Sequence, residues 1–330
     1  MAASEAPLMM LPPPTTTAMS VPLALAAVTL LCIWAGARRL FGPWVAGGAT
    51  LLTALHPQFV LMSTAVNPAA LINLCGAVFW WQAARLLTGA PAATSLALLT
   101  AVTLLGVFTK RAGAPLVAML AIVPMIAWTR GRLGQWRPSW TALAGATVGV
   151  VVAGVVVAVW LGPEVERLSA SWSYALRFSW AERARDWAFF RRFTAGLFDS
   201  SWLVAGWLRY PAPSVWLVLV RLLVVAGAVG CLVGLRRPAL AGWRTGLVLA
   251  GTLVALQAAG VYGGIYLNGY GPQGHYLFPV IGPFMALVWV GVHAWWPRRY
   301  WAYISISVVA FLVVFDAVGW GSVILPAFLG

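Results

Sequence analysis

The chain has 330 residues, of which 62% are hydrophobic and only 8% are charged, and its formal net charge is +14. Apolar runs of about 18 residues or more recur along it, which excludes a soluble globular protein and is typical of membrane-spanning helices. Lys and Arg collect on the cytoplasmic side of such spans, so the basic balance does not indicate a nucleic-acid partner.

The sequence predicts an all-α fold, a polytopic transmembrane helix bundle. Lipid allows only helices or closed barrels, and runs this continuous favour helices. Residues 1–20 are Pro- and Thr-rich and are expected to form a disordered outer tail, and residues 21–330 a single transmembrane domain. Ten spans are expected, at 21–37, 44–63, 70–88, 93–109, 113–129, 140–161, 214–235, 245–263, 275–294 and 301–321.

The positions of the arginines predict the orientation of the bundle. When Arg38 and Arg39 are placed in the cytoplasm, alternation of the spans brings eleven Arg residues and no acid to that side. Both termini then lie outside a cell membrane. The outer face carries four connections, at 63–69, 110–113, 162–213 and 262–274.

The long extracytoplasmic segment 162–213 is predicted to be partly helical. Its apolar residues recur at helical spacing from Val165 to Leu176, which is typical of an amphipathic helix lying in the membrane interface. Five of the seven acids of the chain fall in this segment. Polar chemistry is therefore expected on the outer face.

Lys110 and Arg111 form a short positive junction on that outer face. They are either two ordinary cations snorkelling at a helix end or a phosphate site, in which Lys supplies a point charge and Arg a bidentate fork. His56, before Pro57 in the second span, is either a buried core histidine or a functional group, since a polar ring in a span is costly. A kink is expected at this proline.

Three further sites are candidates for substrate binding. Asn67 precedes a proline and either forms a plain turn or points its amide at a headgroup or sugar hydroxyl. Asp199 and Trp202 combine a carboxylate with an aromatic ring, as sugar sites do, but interfacial aromatics also form belts. The Gly- and Pro-rich stretch that opens the ninth span is either a loop or the lining of a cleft, to which it would contribute Gln273, His275 and Tyr276.

The remaining polar residues in spans give less information. Asp316 and Arg221 each need a partner or a water path, and they are candidates to pair with each other. Cys32, Cys75 and Cys231 lie in apolar runs and are expected to be core residues rather than disulfide or metal ligands. The sequence shows no metal-ligand cluster, no Gly-rich phosphate loop and no Ser/His/Asp spacing.

Three of four stretches resemble bacterial polytopic glycosyltransferases of the GT-C superfamily, such as protein mannosyltransferases and aminoarabinose transferases, and the fourth, at 198–216, resembles the aromatic loop of a related group of bacterial membrane proteins. They occur in the expected order and on one face of the membrane. They are ALHPQFVLMSTAVNPAALINLCGAVFWWQAARLL at 54–87, FTKRAGAPLV at 108–117, FDSSWLVAGWLRYPAPSVW at 198–216 and QGHYLFPVIGPF at 273–284.

The resemblance implies an enzyme that takes a sugar from a polyprenyl-phosphate carrier at the outer leaflet and transfers it to a lipid, glycan or protein acceptor. No other cofactor is implied. Carried over, Lys110 would hold the carrier phosphate with Arg111 beside it, and Asn67 would line the outer cleft. Gln273, His275 and Tyr276 would close that cleft; Asp199 is the carboxylate candidate near the acceptor.

The chain also departs from the family pattern. The acidic residue or pair of the family's first outer loop is not found, and the first span here corresponds to the family's second. His275 stands where an Arg is usual, which weakens a phosphate contact at neutral pH. Two alternatives therefore remain beside the glycosyltransferase: a non-catalytic membrane subunit, either truncated or dependent on a partner, and a transporter of lipid-linked sugar.

Overall fold

The computed structural model describes residues 16–129, 187–205, 210–262 and 273–326, except the side chains of residues 16–19, 111, 205 and 239. The predicted span 140–161 and the amphipathic stripe from Val165 to Leu176 lie outside these ranges. The helices are α1 (Thr16–Phe41), α2 (Pro43–Ala54), α3 (Pro57–Thr64), α4 (Ala69–Leu87), α5 (Ala92–Thr109), α6 (Pro115–Thr129), α7 (Trp187–Trp202), α8 (Ser214–Arg236), α9 (Arg244–Val261), α10 (Ile281–Ala294) and α11 (Trp301–Gly319).

Short elements connect these helices. Two-residue strands, β1 (Val204–Ala205) and β2 (Tyr210–Pro211), pair antiparallel after α7. Three 3₁₀ segments matter for the site or the ends of the bundle: Arg111–Gly113, Pro238–Trp243 and Gly274–Val280. Helix α1 begins inside the predicted tail.

The described residues contain seven helices that are long and apolar enough to cross a membrane, or eight crossings if the bent pair α2–α3 counts as one. Each of them coincides with a predicted span, and α6, with 15 residues, occupies the predicted span 113–129. The prediction of an all-α polytopic bundle is confirmed, and the chain is a multi-pass membrane protein.

The bend between α2 and α3 follows from the His56–Pro57 pair. Proline lacks an N–H and disfavours helical backbone in the residue before it, so it suits the first position of a new helix. Pro57 begins α3, His56 is extended, and the two helix axes differ by 63°. The kink that the sequence predicts is therefore a clear break.

The core of the bundle is formed by α4 and the segment 274–294. These two spans are 72% and 83% buried, whereas the other spans are only 22–39% buried and expose apolar side chains. Gly76 of α4 packs directly on the Pro279 carbonyl, and Gly227 of α8 on Gly291 of α10. Because lipid gives no hydrophobic drive between helices, such close backbone contacts are a main source of association.

The two ends of the bundle differ in charge. At one end, which we call the arginine end, Phe41, Trp243 and Trp301 form successive ring contacts, and Arg39 donates a hydrogen bond to Thr88 at 3.4 Å. The arginines that close helices or turns at this end are Arg38, Arg39, Arg85, Arg236, Arg237, Arg298 and Arg299. The opposite end holds a cavity.

Candidate functional site

Lys110 reaches the cavity because of the way α5 ends. The helix stops at Thr109, and Lys110 is fully extended, with φ −163° and ψ 147°. Its N–H still donates to Gly106 at 3.1 Å, while its carbonyl accepts from Gly113 at 2.8 Å and starts the 3₁₀ turn. The side chain is thereby directed away from its own helix. Lys110 is also the single lysine among the 21 basic residues of the chain.

The Lys110 ammonium lies against the turn that precedes α10. Its Nζ is 2.9 Å from Nε2 of His275 and 4.9 Å from the centre of the Tyr276 ring. An ammonium group donates and cannot accept, so Nε2 is the acceptor and the ring proton of His275 resides on Nδ1. A neutral histidine thus orients a cation across two segments that are 165 residues apart.

This cation has no carboxylate partner within the described part of the chain. Burial lowers the pKa of Lys110 from its ordinary value of 10.5. His275 takes one of its three N–H groups, and the other two have no hydrogen-bond acceptor among the described residues and can meet a ligand. A desolvated and uncompensated ammonium is a good anion site, since a bound anion supplies the missing counter-charge.

The cavity around Lys110 has a volume of about 600 Å³. Polar and apolar side chains both line it. The polar lining residues are Gln58, Asn67, Lys110, Ser200, Gln273, His275 and Tyr276, and the apolar ones include Leu61, Met62, Ala65, Pro68 and Val204. The cavity therefore suits an amphiphilic anion.

Helix α7 forms one side of this cavity and is held there by backbone contacts. Ser200 Oγ accepts a hydrogen bond from the Gly274 N–H at 2.8 Å, and Gln58 Oε1 accepts from the Val204 N–H at 3.2 Å. Gly274 lies so close to α7 that a Cβ atom would overlap the backbone of Ser201. The turn that carries Gln273 and His275 is thus fixed by the position of α7.

Asn67 forms the turn that its sequence context left open as one of two alternatives. Its Oδ1 accepts from the Ala69 N–H at 2.6 Å, which caps the turn before α4. The residue also lines the cavity, beside Pro68.

His56 and Trp202 lie behind the cavity rather than in its lining. Their rings are 4.4 Å apart, and both residues are almost completely buried, with exposures of 2% and 1%. His56 Nδ1 accepts from the Phe59 N–H at 3.2 Å. This is the arrangement of a core histidine, and the pair supports the wall that Gln58 completes. The side chain of Arg111 lies outside the described residues.

Asp199 points away from the cavity and forms an ion pair. Its two carboxylate oxygens are 2.5 and 2.7 Å from Nη2 of Arg221, which also lies 5.9 Å from the Phe198 ring. The predicted candidate pair of Arg221 and Asp316 is therefore wrong, because α7 brings Asp199 to α8 first. The Asp199–Arg221 pair ties α7 to the membrane span α8.

Exchanging the charges of this pair tests its role. Asp199→Arg places two guanidinium groups together and is expected to lower stability by about 1–2 kcal/mol, a modest loss because both side chains are partly exposed. The double variant Asp199→Arg/Arg221→Asp should recover most of the thermal unfolding midpoint in detergent. A double variant as unstable as Asp199→Arg would show that the ion pair does not hold α7 against α8.

Sequence analysis did not single out Gln58 or Gln257, which help to build the site. Gln257 is completely buried in α9, and its Nε2 donates to the carbonyls of Ala112 and Tyr276. The available signal was an uncharged amide within an apolar run. An amide in the sequence does not show which partner it meets, so this signal is weak without the structure.

Residues 14–160, a little under half of the chain, match the family model of dolichyl-phosphate-mannose-protein mannosyltransferases. The match confirms the resemblance to GT-C membrane glycosyltransferases. It includes Asn67 and Lys110 of the cavity but not Gln273–Tyr276. Searches of curated proteins and of solved structures gave no match.

Proposed function

We propose that this protein binds a polyprenyl-phosphate-linked sugar in the cavity and transfers the sugar to a hydroxyl group of a lipid, glycan or protein acceptor. The observation that carries the proposal is Lys110, a cation without a carboxylate partner among the described residues, which lines a cavity that has both polar and apolar side chains. The family match supports glycosyltransferase activity.

The mixed lining of the cavity supports a lipid-linked donor. An isoprenoid chain can lie against Leu61, Met62 and Val204, while its phosphate meets the two free N–H groups of Lys110. A water-soluble nucleotide sugar would leave the apolar wall unused. The amides of Asn67 and Gln273 line the same space and can bind sugar hydroxyls.

In the proposed reaction, the bond between the anomeric carbon and the phosphate oxygen breaks as the acceptor oxygen attacks that carbon. Lys110 stabilises the charge that develops on the departing lipid phosphate. The acceptor proton passes to a general base. The described cavity lining holds no carboxylate, and the four acids of the outer segment outside the described ranges are candidates for this base: Glu164, Glu166, Glu182 and Asp186.

We assign the cavity to the outer face of the cell membrane. Arginines cluster at the opposite end of the bundle, and the cytoplasmic side of membrane proteins is enriched in Lys and Arg. In this orientation a carrier in the outer leaflet has its phosphate at the depth of Lys110. Val66 lies beside the cavity and is 61% exposed. If it is replaced by cysteine, the reaction of that cysteine with a thiol reagent added to intact cells measures the orientation directly.

Binding of the carrier tests the proposal. Purified protein in lipid nanodiscs should bind polyprenyl phosphate at least about tenfold more tightly than the matching polyprenol, because only the phosphate meets a charged donor. Binding should weaken as alkaline pH removes the Lys110 proton, and because burial lowers that pKa, the decline should begin below the ordinary 10.5. Equal binding of phosphate and alcohol at pH 7 would contradict the proposal.

The absence of a carboxylate from the described cavity lining also favours a second candidate, a non-catalytic subunit that presents the carrier to a partner enzyme. A transfer assay with radiolabelled polyprenyl-phosphate sugar distinguishes the enzyme from the non-catalytic subunit. Transfer by the protein alone supports the enzyme, whereas carrier binding with transfer only after a partner is added supports the subunit.

A further inference from the structure

The most deeply buried polar group near the cavity is the amide of Gln257. It lies in α9, one turn before the helix ends at Val261, and is completely shielded from solvent. A polar side chain in a membrane span is costly unless its hydrogen-bonding groups are satisfied. Its two N–H groups are both used, whereas its buried Oε1 has no hydrogen-bond partner in the described part of the chain, so it is the two donors that explain an amide here.

Those partners belong to the two turns that carry the cation and the histidine. Gln257 Nε2 donates to the Ala112 carbonyl at 3.0 Å and to the Tyr276 carbonyl at 2.7 Å. Ala112 is two residues after Lys110, and Tyr276 directly follows His275. A single amide nitrogen thus joins two turns that are far apart in the sequence.

Both turns are 3₁₀ segments, in which a carbonyl accepts from the N–H three residues later, but for Ala112 and Tyr276 that residue is a proline, Pro115 or Pro279, which has no N–H to donate. Close packing adds a second constraint, because Gly260 of α9 lies directly against the Pro115 ring at the start of α6. The distance of 2.9 Å between Lys110 and His275 then depends on where α9 holds both turns.

We infer that Gln257 is a positioning residue, which sets the approach of Lys110 to His275 and so fixes the anion site from behind. It touches neither ligand nor reacting atoms and acts through the two carbonyls. The inference deepens the proposed function, and rests on it for the identity of the ligand but not for the geometry.

Lys110 makes a direct test possible, because it is the single lysine of the chain. Amine acylation across a range of pH, read by mass spectrometry of the full-length protein in detergent, reports its titration without any ligand. In Gln257→Met, which keeps the side-chain volume but removes both donors, we expect the labelling midpoint to rise by about one pH unit as Lys110 becomes more hydrated. Polyprenyl-phosphate affinity should fall about tenfold at pH 7.

Gln82→Met is the matched control. Gln82 is an equally buried amide, but it lies in α4 near the arginine end, where it accepts a hydrogen bond from Arg85 at 3.3 Å. Its loss should lower stability and leave both the labelling midpoint and carrier affinity as in the unmodified protein. Should Gln257→Met fail to fold, Gln257→Asn keeps an amide that is one methylene too short to reach both carbonyls, and should shift the midpoint in the same direction.

An unchanged labelling midpoint in the folded Gln257 variant would overturn the inference, as would the same shift in Gln82→Met. If the unmodified protein binds no polyprenyl phosphate but the Gln257 variant still shifts the midpoint, the proposed function fails and the positioning role stands.

Discussion

Replacing Lys110 with alanine is expected to lower the affinity for polyprenyl phosphate by about 100-fold or more and to reduce sugar transfer to background. The ammonium is the charged donor that the described cavity presents to the phosphate, and it is held there by His275 at 2.9 Å. The thermal unfolding midpoint should stay the same or rise, because the cation is partly desolvated without a carboxylate partner in the described residues.

Two comparison variants make this result specific. Lys110→Arg keeps the charge, but the planar guanidinium cannot occupy the position of the compact ammonium against His275, so we expect an intermediate affinity. Arg39→Ala removes a cation at the arginine end and should leave affinity unchanged. Full sugar transfer by Lys110→Ala would show that Lys110 has no part in the mechanism. Lys110 would then be an ordinary cation that snorkels at a helix end.

Gly274→Ala should produce the second large effect, on the cavity as a whole. The new methyl group would overlap the nitrogen and Cα of Ser201, which are backbone atoms that cannot rotate away. Helix α7 must then move, and the hydrogen bond of 2.8 Å from Gly274 to Ser200 is lost. We expect a loss of about 1–3 kcal/mol in stability, as for other overpacked sites, and at least a tenfold loss of carrier affinity.

The control is Gly251→Ala in the interior of α9, where an added Cβ meets no atom within 4 Å. Alanine is the better helix former, so this variant should keep its affinity and gain slightly in stability. If Gly274→Ala bound the carrier as tightly as Gly251→Ala does, α7 would not be fixed by the turn at Gly274, and its part in shaping the cavity would be refuted.

The spans were predictable because a membrane imposes one rule on every helix that crosses it. Apolar runs of sufficient length gave nine of the ten expected spans a counterpart in the described residues, including the short α6. The break at Pro57 was equally readable, since proline cannot continue a helix. The early start of α1 at Thr16 was not, because a Thr-rich stretch has no strong helical preference.

The number of spans between Asn67, Lys110 and His275 predicts that these three residues lie at the same end of the bundle. Once spans alternate, their connections must meet at one end of the bundle, although nothing in the sequence says how closely. The contact between Lys110 and His275 depends on the extended backbone at Lys110 and on the amide of Gln257. The sequence also did not predict the partner of Arg221, because the contact with Asp199 depends on how α7 packs against α8.

The uneven burial of the spans determines which helices respond when the thickness of the membrane changes. A bilayer that thickens or thins acts first on the helices it touches, which answer by tilting. Here those are the peripheral spans, whereas α4 and the segment 274–294 are largely sheltered by neighbours. Asn67 and His275 begin these two sheltered spans, whereas Lys110 ends α5, which is only 22% buried, so a change in bilayer thickness is expected to reach the Lys110–His275 contact through α5.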